Sequence, residues 1–217
     1  MISPGSGALT RIKCCGITRL EDALLAAELG VDAIGMIFTA HSRRCLTPAQ
    51  AAAIRERLPA PLYVVALFMD DDAAFVRDVC AQVRPDLLQF HGEESDDWCA
   101  QFGYRYFKAI GMADGVAALQ KLRAYPRARA LLLDGHGAGE GGGRGQGFDW
   151  SQIPADLVQP LILAGGLHAG NVADAIRQVR PWAVDVSSGV ESSPGIKDAG
   201  KLRDFVAAVR SADEGAN

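Results

Sequence analysis

Strict alternation between two kinds of segment is the feature that most constrains the fold of this 217-residue chain. Short runs rich in β-branched and other apolar residues are each followed by a longer, amphipathic run with helical periodicity. Eight such β–α units follow one another between residues 11 and 210. Regular alternation of this kind predicts a parallel sheet that is covered by helices.

The eight units predict a closed barrel. The strand segments are 11–15, 31–38, 62–68, 86–90, 104–110, 130–134, 160–165 and 182–188. The helical segments are 20–29, 48–57, 73–83, 96–102, 115–124, a short one near Trp150, 169–179 and 198–210. Eight units in about 200 residues suit an α/β fold of the single (β/α)8 TIM-barrel type, at the short end of its range. An open doubly wound sheet is the alternative, but no GxGxxG follows the first strand, which disfavours its nucleotide-binding versions.

No linker or change in composition divides the chain. We therefore predict one domain over 11–210, between a disordered extension at 1–10 and a frayed tail at 211–217. A net charge of −4 disfavours general binding to nucleic acid or to an anionic membrane. Every apolar run is shorter than the ~20 residues of a membrane-spanning helix. Five cysteines without CxxC spacing indicate reduced thiols and a cytoplasmic location.

Two glycine-containing turns follow the last two predicted strands. Gly165 and Gly166 end one strand, and Ser187, Ser188 and Gly189 end the next. Barrel enzymes carry their active sites at these carboxyl ends. Glycines let backbone N–H groups approach an anion closely, and the amino end of a short helix would add a favourable dipole. The two turns therefore predict a phosphate-binding site, although tight turns alone would also use glycine.

A thiol and a carboxyl end two other strands. Lys13 and Cys15 share one face of the first strand, whereas Cys14 lies on the other. Because Lys13 fits poorly against helices, we expect Cys15 to point into the barrel mouth and Cys14 to pack outward. Asp134 follows three leucines at the end of the sixth strand, where it is also compatible with a loop cap. Together, Cys15 and Asp134 would form an acid–base couple, because a thiolate is a competent base and a carboxyl can donate a proton.

These segments resemble the phosphoribosylanthranilate isomerase family. The matching motifs, in family order, are KCCGIT (13–18), QFHGEE (89–94), LLLD (131–134), GGRGQGFDW (142–150), LAGGL (163–167) and DVSSGVESSPGIKD (185–198). The resemblance extends over about 11–210. It implies an Amadori-type rearrangement of the small molecule N-(5′-phosphoribosyl)anthranilate in tryptophan biosynthesis. It also implies that no metal or organic cofactor is needed and that the protein is a monomer or a homodimer.

The resemblance implies a role for individual residues. Cys15 matches the general base that removes the proton from ribose C2, and Asp134 matches the general acid that protonates the ring oxygen. Arg44 matches an arginine that faces the anthranilate carboxylate, for which a planar guanidinium is well suited. His91 and Asp185 match polar positions that orient the substrate, although His91 is equally compatible with a hydrogen-bonded structural histidine.

The chain departs from the family pattern in two loops. Members often read Ser-Pro-Arg-Tyr where this chain has Ser42, Arg43, Arg44 and Cys45, so only the motif register favours Arg44 over Arg43. Arg144 replaces a threonine in the loop after the sixth strand. Alternative functions are another phosphosugar barrel enzyme, such as indoleglycerol-phosphate synthase or ribulose-phosphate epimerase, or a non-catalytic barrel that binds a phosphorylated ligand.

Overall fold

The computed structural model of the chain describes residues 9–112, 116–135, 149–154 and 157–215. Eight parallel strands close into a barrel because β1 pairs with both β2 and β8. This confirms the TIM-barrel prediction and excludes the open doubly wound sheet. The strands are β1 (Arg11–Cys15), β2 (Ala33–Ile37), β3 (Tyr63–Phe68), β4 (Leu87–Phe90), β5 (Tyr106–Gly111), β6 (Ala130–Asp134), β7 (Leu161–Leu163) and β8 (Ala183–Val186).

Helices connect successive strands around the barrel. They are α1 (Leu20–Glu28), α2 (Pro48–Arg55), α3 (Ala73–Val83), α4 (Asp96–Ala100), α5 (Val116–Lys121), α6 (Val172–Val179) and α7 (Ala199–Glu214), with short 3-10 helices at Trp150–Gln152 and Ser188–Val190. Thr47 and Gln50 form a capping box at the start of α2, with Pro48 in the first turn. No helix within the described ranges is long and apolar enough to cross a bilayer.

The carboxyl-terminal part of the chain differs from the prediction. Helix α7 continues to Glu214, so the predicted frayed tail is wrong for residues 211–214. The carboxylate of Asp213 accepts hydrogen bonds from the Thr10 backbone N at 3.0 Å and from its Oγ1 at 2.6 Å. A hairpin of β9 (Glu191–Ser193) and β10 (Ile196–Lys197), which was not predicted, follows β8. Most of the predicted amino-terminal extension, residues 1–8, lies outside the described residues, as do 216–217.

The apolar core has two parts. The larger part lies between the barrel and its helices and includes Cys14, as expected from its outward position on β1. The smaller part fills the barrel interior with side chains such as Val65, Phe107 and Leu132. Because side chains alternate along each strand, residues of one face enter the interior while their neighbours pack on helices.

The strand register arranges the interior side chains in layers. Closing eight parallel strands into a barrel offsets the register by about one residue per strand, so that alternate strands contribute four side chains to each layer. From the amino end towards the carboxyl end, the layers are Lys13, Val65, Phe107 and Ile162; Gly35, Gln89, Leu132 and Asp185; Cys15, Leu67, Ala109 and Ala164; Ile37, His91, Asp134 and Ser187. The two layers nearest the carboxyl ends therefore hold most of the polar side chains singled out from the sequence.

Candidate active site

Cys15 is the last residue of β1, and its side chain points into the barrel, as the alternation along the strand predicts. Its sulfur is nearly buried and packs against Ile37 and Leu67. Gly35 on β2 is its register partner. A Cβ atom at Gly35 would lie 2.7 Å from the sulfur, so this position has to lack a side chain.

A buried ion pair lies directly below Cys15. Lys13 and Asp185 are register partners on β1 and β8, and the Lys13 ammonium donates to Asp185 Oδ1 at 2.8 Å. The same ammonium lies near the Cys15 sulfur, since a Cβ atom at Gly35 would lie 3.1 Å from the Lys13 nitrogen as well as 2.7 Å from the sulfur. Burial raises the pKa of the Cys15 thiol, the charge of Lys13 opposes this rise, and the charge of Asp185 adds to it. The structure thus places predicted residues Cys15 and Asp185 together, linked by a lysine.

Asp134 ends β6 on the interior face and is nearly buried. Leu131 and Leu133 pack on the helices, whereas Leu132 lies inside the barrel below the carboxyl. The charges of Asp134 and Asp185 interact, and Asp185 in turn interacts with Cys15. A thiol and two carboxyls therefore lie at one end of the barrel, where they can exchange protons with one bound molecule.

Arg44 reaches the same end of the barrel, but its guanidinium is engaged by a carboxylate. Its Nε donates to Glu191 Oε1 at 2.8 Å and its Nη2 to Oε2 at 2.6 Å, and both side chains are buried. Arg43, by contrast, is exposed. The Arg44 side chain passes over Gly16, where a Cβ atom would meet its Cδ, and its charge interacts with Cys15. The bidentate pair fixes the plane of the guanidinium beside the candidate base.

Lys197 joins this ion pair to the first strand. Its ammonium donates to Glu191 Oε1 at 2.9 Å and to the backbone oxygen of Cys15 at 2.6 Å. Burial alone would raise the pKa of Glu191, but hydrogen bonds and charge from Arg44 and Lys197 hold it below its ordinary value. Neither Glu191 nor Lys197 was predicted as a site residue, although both stand in the last of the quoted motifs.

The two glycine turns pack closely against each other. Gly165 and Gly166 have φ angles of 83° and 66°, which favour glycine. A Cβ atom at Gly189 would lie 2.0 Å from the backbone oxygen of Leu167, so the turn after β8 contacts the turn after β7. Within the part of the chain that the structure describes, the backbone N–H groups of Gly165, Gly166, Ser188 and Gly189 donate to no protein acceptor. Ser187 precedes Ser188 and lies in the layer nearest the carboxyl ends of the strands. The turns thus present several backbone donors to one region.

The remaining polar positions surround this end of the barrel. His91 follows β4, is partly exposed, and donates its backbone N–H to Phe68. Gln89, two residues earlier, is 1% exposed, and its side-chain oxygen has no hydrogen-bond partner among the described residues. Gln89 was not predicted as a site residue, although its spacing from His91 indicates the same inward face. Arg144 lies outside the described residues. Across the described ranges, no cluster of histidine, cysteine or acidic residues is arranged to hold a metal ion.

Comparisons with known proteins agree on one family. Residues 12–208 match the family model for N-(5′-phosphoribosyl)anthranilate (PRA) isomerase. The N-(5′-phosphoribosyl)anthranilate isomerase of Xanthomonas campestris pv. campestris (strain 8004) is 52% identical over 210 residues, which cover 94% of this chain and 95% of the relative.

Solved structures give the same result. The crystal structure of phosphoribosyl anthranilate isomerase from Thermotoga maritima is similar with a TM-score of 0.87 at 38% identity, covering 94% of this chain and 100% of the other. A structure of such an isomerase in complex with reduced 1-(o-carboxyphenylamino)-1-deoxyribulose 5-phosphate has a TM-score of 0.84 at 35% identity, with the same coverage. The similarity therefore extends over nearly the whole barrel.

Proposed function

Because the chain belongs to the N-(5′-phosphoribosyl)anthranilate isomerase family, and is thus an isomerase, we propose that Cys15 and Asp134 are the base and the acid of its reaction. The observation that carries this proposal is the placement of both side chains in the two layers nearest the carboxyl ends of the barrel strands. The substrate is N-(5′-phosphoribosyl)anthranilate, and the product is 1-(2-carboxyphenylamino)-1-deoxyribulose 5-phosphate.

The reaction needs only proton transfers within one sugar. Asp134 protonates the ring oxygen, the bond between that oxygen and C1 breaks, and the anthranilate nitrogen supplies the electrons for a protonated C1=N bond. Cys15 then removes the proton from C2, and the electron pair moves towards C1. A final proton shift from the C2 hydroxyl to C1 leaves a ketone at C2. C1 is reduced and C2 is oxidised, so the electrons balance within the molecule.

Three further groups hold the substrate in this proposal. The turns that contain Gly165, Gly166, Ser187, Ser188 and Gly189 bind the phosphate through backbone N–H groups, because glycines let several such donors approach one anion closely. Arg44 faces the anthranilate carboxylate, with its plane fixed by Glu191. His91 and Asp185 orient the ribose hydroxyls. Gln89 lies below His91 in the barrel interior, and its side-chain oxygen has no hydrogen-bond partner among the described residues.

We place this reaction in tryptophan biosynthesis and in the cytoplasm. All five cysteines are free in the structure, and Cys14, Cys15 and Cys99 are buried. Free thiols are typical of proteins in reducing compartments, which supports the cytoplasmic location. Activity in cell fractions that separate the cytoplasm from other compartments would test it.

Turnover of freshly prepared N-(5′-phosphoribosyl)anthranilate, followed by the loss of its anthranilate-type fluorescence, tests the proposed function. We expect Cys15→Ala and Asp134→Asn each to lower kcat by about 100-fold or more, as is usual when a general base or acid is lost. Near-normal turnover in either variant would remove that residue from its assigned role.

Cys14→Ala is the matched control for the thiol. Cys14 precedes Cys15 on the same strand but packs among the helices, so its loss should leave kcat close to that of the unaltered protein. If the unaltered protein binds the reduced product analogue but does not accelerate the loss of fluorescence, the alternative of a non-catalytic barrel that binds a phosphorylated ligand is favoured instead.

A further inference from the structure

We propose that Lys13 is a positioning residue that favours the anionic form of the Cys15 sulfur against the effect of burial, and that Asp185 keeps Lys13 in place for this task. This inference deepens the proposed function, since it rests on Cys15 acting as the base. It assigns Lys13 and Asp185 to one unit with the thiol, in addition to any contact of Asp185 with substrate.

The strand geometry brings the three side chains together. Lys13 and Cys15 are two residues apart on β1 and share its inner face, whereas Asp185 is the register partner of Lys13 on β8. A Cβ atom at Gly35 would lie 2.7 Å from the Cys15 sulfur and 3.1 Å from the Lys13 nitrogen. The sulfur and the ammonium therefore share the space that this glycine leaves, and the charge of Lys13 acts on Cys15.

Lys13 differs from the two other deeply buried lysines in what it contacts. Lys108 donates to the backbone oxygens of Phe90 and Gly92 and to Glu94. Lys197 likewise donates to backbone oxygens as well as to a carboxylate. Among the described residues, the Lys13 ammonium donates to a side chain, Asp185, and it lies beside the Cys15 sulfur at Gly35. Its position is thus suited to influencing a thiol rather than to bracing a loop.

The electrostatic balance around the sulfur depends on this lysine. The charged or titratable groups whose charges act on Cys15, or on which Cys15 acts, are Lys13 on β1, Asp185 on β8, Lys197 on β10, Arg44 before α2, and the neighbouring thiol of Cys14. Burial and Asp185 favour the neutral thiol, and Lys13 is the largest influence in the opposite direction. Burial alone would lower the pKa of Lys13, but Asp185 and Cys15 raise it above its ordinary value, so the ammonium stays charged. Asp185 therefore secures the charge that stabilises the thiolate.

The test measures how readily Cys15 forms a thiolate in the absence of substrate. The rate at which iodoacetamide alkylates Cys15 is followed by mass spectrometry from pH 6 to pH 10.5, in a Cys45→Ser, Cys80→Ser background that removes the two thiols that are not buried. We expect Lys13→Met to move the midpoint of this profile upwards by at least about one pH unit, which lowers the thiolate fraction about tenfold at pH values well below the midpoint. The ascending limb of kcat/KM should move with it.

Lys13→Met leaves a buried carboxylate without its partner, so Lys13→Met with Asp185→Asn serves as a second variant that retains no unpaired charge. Its midpoint should also move upwards, because the influence of Lys13 on Cys15 exceeds that of Asp185. The matched control is Lys108→Met with Glu94→Gln, which removes another buried pair and should leave the midpoint unchanged. An unchanged midpoint in either folded Lys13 variant would overturn the assignment.

The alkylation profile separates this inference from the proposed function. A shifted midpoint in a protein that does not turn over the assigned substrate would support the role of Lys13 and count against that substrate. Normal turnover with an unshifted midpoint would leave the proposed function intact and reject the role of Lys13. A loss of activity that is equal at every pH, without a shift, would likewise reject it, because a purely structural defect has that signature.

Discussion

Gly35 determines how much space the sulfur of Cys15 and the ammonium of Lys13 have. Gly35→Ala would bring a Cβ atom to 2.7 Å from the sulfur and 3.1 Å from the nitrogen, so both groups would have to move. Because small displacements of reacting groups cost up to about 100-fold in rate, we expect kcat to fall at least about tenfold. Steady-state kinetics at constant pH measure this effect.

The control for Gly35→Ala is Gly200→Ala. Gly200 is exposed in the first turn of α7, where alanine favours the helix and its Cβ atom would lie 3.2 Å from the carboxylate of Asp198. It should leave kcat unchanged. If Gly35→Ala retained normal kcat in a folded protein, as judged by circular dichroism, the position of the sulfur would not limit the reaction.

Two adjacent arginines offer a direct comparison of roles. Arg44 is buried and held in its plane by Glu191, whereas Arg43 is exposed. Lysine keeps the charge but loses the planar, bidentate geometry. We therefore expect Arg44→Lys to raise KM about tenfold or more, which is the effect of one or two lost hydrogen bonds. Arg43→Lys should leave KM within about twofold of its original value. Initial rates over a range of substrate concentrations distinguish the two, and the reverse order would transfer the carboxylate contact to Arg43.

For single residues, the sequence predicts which face of a strand a side chain occupies better than it predicts which residue that side chain contacts. The inward position of Cys15 and the outward position of Cys14 follow from alternation along a strand, which is a local property. The pairing of Arg44 with Glu191 joins residues 147 positions apart. No local pattern in the sequence indicates which carboxylate forms an ion pair with which arginine. The register of β1 and β8, which pairs Lys13 with Asp185, is also known only after the barrel has closed.

The β9–β10 hairpin carries Glu191 and Lys197, and through them the ion pair of Arg44 is joined to the first strand of the barrel. Arg44 and Lys197 hold the pKa of Glu191 below its ordinary value of 4.5, against the effect of burial. A carboxyl with a lowered pKa in the folded state stabilises the protein fully above its unfolded pKa, and this contribution is lost as the pH falls through the folded pKa. Glu191→Gln should therefore lower the free energy of unfolding by about 3 kcal/mol at pH 6, as for other broken buried pairs. The difference should shrink below about pH 4.5.

Urea unfolding at several pH values measures this difference. Glu93→Gln is the control, because Glu93 pairs with Lys121 at the surface and is 60% exposed. Surface pairs contribute little, so this variant should show a small difference from the unaltered protein. A gap for Glu191→Gln that widens towards acid pH would contradict the assignment of a lowered pKa.

Regular elements were predictable where a local signal marks their ends. The strands β1 and β6 have the predicted bounds, as does α3, and Thr47 with Pro48 marks the start of α2. The hairpin was missed because its strands have only three and two residues, too few for periodicity to register. Helix α7 extends further than predicted because Ala212 is buried and Asp213 has a distant partner, neither of which the polar composition of this segment indicates.

For the whole molecule, closure of the barrel brings the carboxyl ends of eight separate strands together around one site. Alternation predicts the barrel and the end at which chemistry takes place, because all parallel strands end on the same side. It does not give the register offsets that place Asp134 and His91 one layer above Cys15. Gln89, an inward polar residue within an otherwise apolar run, is recognisable as part of the site only once these layers are known.

The last prediction concerns the contact between the residue before β1 and the last turns of α7. Asp213 on α7 accepts two hydrogen bonds from Thr10, the residue before β1, and Arg210 donates to the backbone oxygen of Thr10 at 2.7 Å. Asp213→Ala would leave the nearly buried Thr10 N–H without its acceptor, so we expect the free energy of unfolding to fall by about 2 kcal/mol, the usual size for hydrogen bonds to a charged group. Glu214→Ala, at an exposed position one residue later, is the control and should change it by less than about 0.5 kcal/mol. Because the contact is far from the carboxyl ends of the strands, kcat should be unaffected in both variants. Equal stability of the two in urea unfolding would show that α7 does not secure the closure of the barrel through Thr10.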